Sequence, residues 1–74
     1  MATMIEIRRE NLRRLLESVS STEVARQAGY SGPSYISQMA GPNPTKDITE
    51  KSARRLETGL GLPAYWMDRE QDTY

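Results

Sequence analysis

The chain has 74 residues, ten basic and ten acidic, with no Cys and no His. That length supports one small domain, whose single core rarely supplies more than ~3–5 kcal/mol, and the missing residue types exclude disulfides, thiolate or imidazole metal sites and His-based catalysis. No apolar run nears the ~20 residues of a membrane span, and Met1–Glu6 lacks the charged segment and long apolar core of a signal peptide, so a cytoplasmic protein without cofactor or metal is expected.

The chain then reads as helices. Leu12, Leu15, Leu16 and Val19 fall at i, i+3, i+4 and i+7, one face of a helix over 4–18. Thr3 and Glu6 are spaced as a capping box. Arg8, Arg9, Arg13 and Arg14 cover its other sides and read as a solvated face with partners such as Glu10–Arg14. A second helix, 21–28, opens on Ser20 with Glu23 reaching back, carries a Val19–Val24 staple, and stops at Gly29, where a left-handed residue costs least. A third, 33–40, starts with Pro33, whose missing N–H had no partner in a first turn anyway. It buries Ile36, Met39 and Ala40 and ends at Gly41-Pro42. A stiff loop runs to Lys46. A fourth helix opens near Thr49, stapled by Ile48 and Ala53, with Ala53, Leu56 and Leu60 inward and Gly59 at its C-terminus. Leu62–Met67 reads as a short fifth helix anchored by Trp66 and Met67, and the chain from Asp68 as a frayed polar tail.

The expected fold is therefore all-α: a bundle of five short helices. One core takes Leu12, Leu15, Leu16, Val24, Ala25, Ile36, Met39, Leu56 and Trp66, and Tyr30 also reads as core. Residues 1–68 form the domain and 69–74 a polar tail or the start of a linker. The zero charge is uneven. Residues 8–55 hold nine bases and five acids, whereas 68–74 hold Asp68, Glu70 and Asp72 against Arg69.

Ala25, Gly29 and Ile36, the string Ser34-Tyr35-Ile36-Ser37-Gln38, and the stretch Ile48–Glu57 followed by Gly61-Leu62-Pro63 and Trp66-Met67-Asp68 together resemble the lambda-repressor/Cro-like helix-turn-helix family of phage and bacterial regulators. The resemblance covers about residues 8–68. It implies a lambda-repressor-like DNA-binding domain in which the small Ala25 lets the second helix approach the third, Gly29 makes the turn, and Ile36 plugs the core. Three departures stand out. Gly29 to Ile36 is seven residues where six is usual, so the turn Tyr30-Ser31-Gly32-Pro33 holds one extra. Ser21 stands where many relatives have a phosphate-gripping Gln. The recognition surface is uncharged.

If Ile36 and Met39 point inward, Pro33, Ser34, Ser37 and Gln38 point outward as base readers. A Gln amide pairs bidentately with adenine, Ser donates or accepts, and Pro offers apolar contact to a thymine methyl. Ser21, Thr22, Tyr35, Asn43, Thr45 and Lys46 are placed for phosphate contacts, which position the protein while base contacts specify. The expected partner is double-stranded DNA, a palindromic operator bound by a homodimer, because one recognition helix touches only a few base pairs. The expected role is a phage or prophage repressor. The alternative is a helical protein-interaction module, antirepressor- or antitoxin-like, that does not bind DNA by itself; zero net charge favours it. An enzyme is not expected, without His, Cys, a Gly-rich phosphate loop or paired carboxylates, and neither is a small-molecule substrate or a membrane.

Overall fold

Local signals set where each helix of the computed structural model begins and ends; the structure describes residues 3–70. α1 (Met4–Leu15) begins at a complete capping box: the Thr3 hydroxyl accepts from the Glu6 N–H at 3.2 Å, and the Glu6 carboxylate accepts from the Thr3 N–H at 2.8 Å. It stops before the expected residue 18. Glu17 and Ser18 donate to the carbonyls three residues back, Arg14 and Leu15, and so tighten the chain into a turn.

α2 (Ser21–Ala28) is capped by Ser20, which accepts from the Glu23 N–H. The return arm expected of Glu23 is absent, because its carboxylate pairs with Arg26 and Gln27 instead. Gly29, at φ 82°, ends the helix in a Schellman arrangement, with the Tyr30 N–H donating to the Ala25 carbonyl at 2.8 Å. α3 (Pro33–Ala40) follows after the four residues 29–32. α4 (Glu50–Leu60) is capped by Thr49 through the Ser52 N–H.

Gly61, not Gly59, terminates α4. It takes the left-handed conformation at φ 70°, and Leu62 N–H reaches back to the Glu57 carbonyl at 2.8 Å. Gly59 serves packing. A Cβ there would lie 2.7 Å from Ala28 Cα, so the bare backbone of α4 presses on the end of α2.

The expected fifth helix is a correction: among the described residues there are four α-helices, no strand, and only a 3₁₀ turn at Trp66–Asp68. Tyr65, at φ 63°, breaks any helical run from Pro63. The turn is held by side chains from elsewhere. Asn11, 2% exposed, donates to the carbonyls of Met67 and Arg69, both at 2.8 Å. The buried Glu57 carboxylate accepts from Tyr65 N–H at 3.0 Å and Met67 N–H at 2.8 Å.

α2 packs on α3 and α4, α1 on α3 and the 3₁₀ turn, and α4 also on that turn. Leu12, Val24, Ala25, Ala28, Ile36, Met39, Ala40, Ile48, Ala53, Leu56 and Met67 form the core. Leu15, Leu16, Tyr30 and Trp66 are only partly buried around it, so Met67 rather than Trp66 is the central anchor. No helix of the described residues is long and apolar enough to cross a membrane.

The arginines of α1 are not the solvated face the sequence suggests. Arg8 is buried and binds Asp68 at 2.8 Å and the Ile48 carbonyl at 3.1 Å. Arg9 donates to the Met39 carbonyl and Arg13 to those of Ala40 and Gly41, each at 3.0 Å. They serve the last carbonyls of α3, which lack partners inside the helix. Asp68, the expected start of a frayed tail, is shared by Arg8 and Arg54. The bond from Arg8, followed by that from Arg54, overcomes the cost of burial and holds its carboxyl down at about 2. Residues 71–74 of the expected tail lie outside the described residues.

Candidate nucleic-acid interface

α3 has the sequence Pro-Ser-Tyr-Ile-Ser-Gln-Met-Ala, with no charged side chain. Its inward face is fixed by Ile36 and Met39, both fully buried. The seven-residue spacing thus keeps Ile36 as the plug. The extra residue is absorbed between the left-handed Gly29 and the extended Gly32 that precedes Pro33.

With Ile36 inward, Pro33, Ser34 and Ser37 are exposed and Gln38 is half-buried. Among the described residues, the side chains of Ser34, Ser37 and Gln38 make no hydrogen bond. The face offers two hydroxyls, one amide and an apolar ring, all free to pair outward.

The loop after α3 is tied to this helix. The N–H groups of Thr45 and Lys46 both donate to the Gln38 carbonyl, at 2.8 and 3.0 Å. Asn43, Thr45 and Lys46 are exposed on that loop. Backbone bonding therefore brings Thr45 and Lys46 to the end of α3 that carries Gln38. Ser21 (half-buried) and Thr22 (exposed) occupy the first turn of α2, and no hydrogen bond joins them to the α3 group.

Tyr35 differs from the others. Its half-buried ring stacks on Tyr30, with centroids 4.7 Å apart and planes 15° from parallel. The Lys46 ammonium sits 5.5 Å from the Tyr35 ring centre. Arg55 lies 4.2 Å from the Tyr30 ring centre while its guanidinium donates to the carbonyls of Ala28 and Gly29 at the end of α2. Tyr30, which the sequence reads as core, is only partly buried. No spacing rule signals the pairing, because it joins the turn, α3, the loop and α4.

The cations of the fold are unequal in freedom. Arg8, Arg9, Arg26 and Arg54 each pair with a carboxylate. The Arg54 guanidinium is held protonated above its already high ordinary range by the hydrogen bonds it donates to Asp68 and then to Glu57. Lys46 is different: its ammonium meets an aromatic face and no carboxylate among the described residues.

Among curated proteins the chain is similar to the prophage repressor CohE of Escherichia coli (strain K12), with 33% identity over 73 residues. Those residues are 99% of this chain and 33% of that protein, so the chain spans about a third of the length of the curated relative it matches. No family model matches the sequence, and no solved structure matches it. Over nearly its whole length, then, the chain is similar to part of a prophage repressor.

Proposed function

We propose that this protein is a sequence-specific, double-stranded-DNA-binding regulator of the repressor type, with α3 in the major groove. The observation that carries the reading is the outward row Pro33, Ser34, Ser37 and Gln38, whose hydroxyl and amide groups have no hydrogen-bond partner among the described residues. Likeness to a prophage repressor supports a repressor-like role at a coarse level.

In this reading Gln38 pairs with adenine, Ser34 and Ser37 read neighbouring edges, and Pro33 packs on a thymine methyl. Lys46, Thr45, Asn43, Ser21 and Thr22 contact phosphates and set affinity without regard to sequence. Two copies bind two half-sites about one helical turn apart on a palindromic operator. Residues 1–68 form the binding unit, with 69–74 as a polar tail or linker start; the protein acts in the cytoplasm and catalyses no reaction.

Selection of bound duplexes from a random library, followed by titration of the winners at rising salt, tests the reading. The expected result is an enriched site for which the logarithm of the affinity falls linearly with log salt through counterion release. A second reading, a protein-interaction module, has one observation in its favour: most arginines are already neutralised or engaged inside the fold. No enriched duplex, or binding indifferent to salt, would put that reading first.

A further inference from the structure

The contacts around Tyr30 form a continuous run. Arg55 on α4 lies over Tyr30 in the turn, Tyr30 stacks on Tyr35 in α3, and Lys46 in the following loop lies over Tyr35. Four segments are thereby joined along one flank of α3. Both ends are cationic, and the two ends differ. Arg55 is committed to the carbonyls of Ala28 and Gly29. Among the described residues the Lys46 ammonium makes no hydrogen bond or ion pair and lies over the Tyr35 ring, and its backbone N–H is fastened to the Gln38 carbonyl.

A lysine ammonium is a point charge on a flexible four-carbon stem. Left alone on a loop it would meet a phosphate at no fixed place. An aromatic face attracts it by the ring quadrupole, and an offset ring pair holds that face in place.

We propose that the stacked Tyr30–Tyr35 pair is a positioning device that holds the Lys46 ammonium at a set distance from Gln38, so that the phosphate gripped by Lys46 fixes which base pair Gln38 reads. The inference rests on the DNA-binding reading above and deepens it. It also gives the extra turn residue a use. Tyr30, in the lengthened turn, supplies the ring that Tyr35 stacks on. Tyr35 then acts through Lys46, as a positioning residue rather than a phosphate ligand.

The test compares Tyr30→Phe, which keeps the ring, with Tyr30→Leu, which removes it, each alone and combined with Lys46→Gln. In the free protein the Lys46 ε-methylene protons are expected to show an upfield ring-current shift in the parent and in Tyr30→Phe, and to lose much of it in Tyr30→Leu. On the selected duplex Tyr30→Phe is expected to match the parent. Tyr30→Leu is expected to lose roughly 3- to 10-fold in affinity, the scale of an aromatic or cation–π contact, with weakened preference at the position read by Gln38. The losses from Tyr30→Leu and Lys46→Gln are expected to be non-additive, as for residues acting through one contact; a purely structural role for Tyr30 would give additive losses. Should Tyr30→Leu fail to fold by circular dichroism, Tyr30→Met, closer in volume and also without a ring, enters the same cycle. A parent that binds duplexes while the ringless variant keeps its affinity, base preference and Lys46 shifts, or additive losses, overturns the positioning role alone. A parent that binds no duplex overturns the DNA reading beneath it.

Discussion

Two polar regions of this small protein have opposite designs. In the clasp that closes the C-terminal 3₁₀ turn, Arg8, Asn11, Arg54, Glu57 and Asp68 all find partners inside the chain, Arg8 and Asn11 across more than 50 residues. On the outward face of α3, the side chains of Ser34, Ser37 and Gln38 find none among the described residues. The clasp is polar chemistry spent on holding the fold, and it replaces the helix that Leu62–Met67 does not form. The α3 face is polar chemistry left open for something outside. A buried polar group without a partner costs far more than an exposed one, so mutations in the two regions are expected to differ in kind: stability for the first, recognition for the second.

The largest effect is expected at Glu57. Its carboxylate serves Arg54 and two backbone N–H groups, and it is 3% exposed. Glu57→Ala leaves buried donors stranded and should cost about 3–5 kcal/mol, as for breaking a buried pair; a thermal melt reads it directly. Gly59→Val comes next. The added side chain meets the backbone of Gln27 and Ala28 and should cost about 1–3 kcal/mol by overpacking. A melt unchanged by Gly59→Val would mean that α2 and α4 do not meet there.

Acid should loosen the clasp selectively. Asp68 has its carboxyl lowered from 3.8 to about 2 in the fold. A depressed carboxyl adds stability that is fully present above its unfolded value and lost as pH falls through the folded one, so about 2 kcal/mol should disappear between about pH 4 and pH 2. Denaturant titrations of the parent and Asp68→Asn across that range check it: the variant should lack this part of the slope. The smallest effect on stability is expected on α3. Ser34→Ala and Ser37→Ala should move the melt by no more than ~0.5 kcal/mol, as surface substitutions do.

The same contrast explains what was legible in the sequence. Apolar spacing gave α3 and the burial of Ile36, and with them the outward set Pro33, Ser34, Ser37 and Gln38 on one helix; Gly29 gave the end of α2. Capping residues gave the starts of α1, α2 and α4, since a cap is a contact over three residues. The clasp was not legible. Asn11 and Met67 are 56 residues apart, and nothing local marks Asn11 as different from any polar residue on a helix. Arg9 and Arg13 misled for the same reason: their partners are carbonyls at the end of α3, which no side-chain pattern records. Gly59 and Gly61 are two residues apart, and only the packing against Ala28 tells the close-approach glycine from the cap.

The most direct test of the central claim, that the open face of α3 is a reading surface, is a titration of Gln38→Ala against the parent over a panel of duplexes derived from the selected site. The variant is expected to melt with the parent, to lose about 1–3 kcal/mol on the preferred duplex, and to become indifferent to one base position. A variant that binds every duplex as the parent does, with the same preferences, would contradict it.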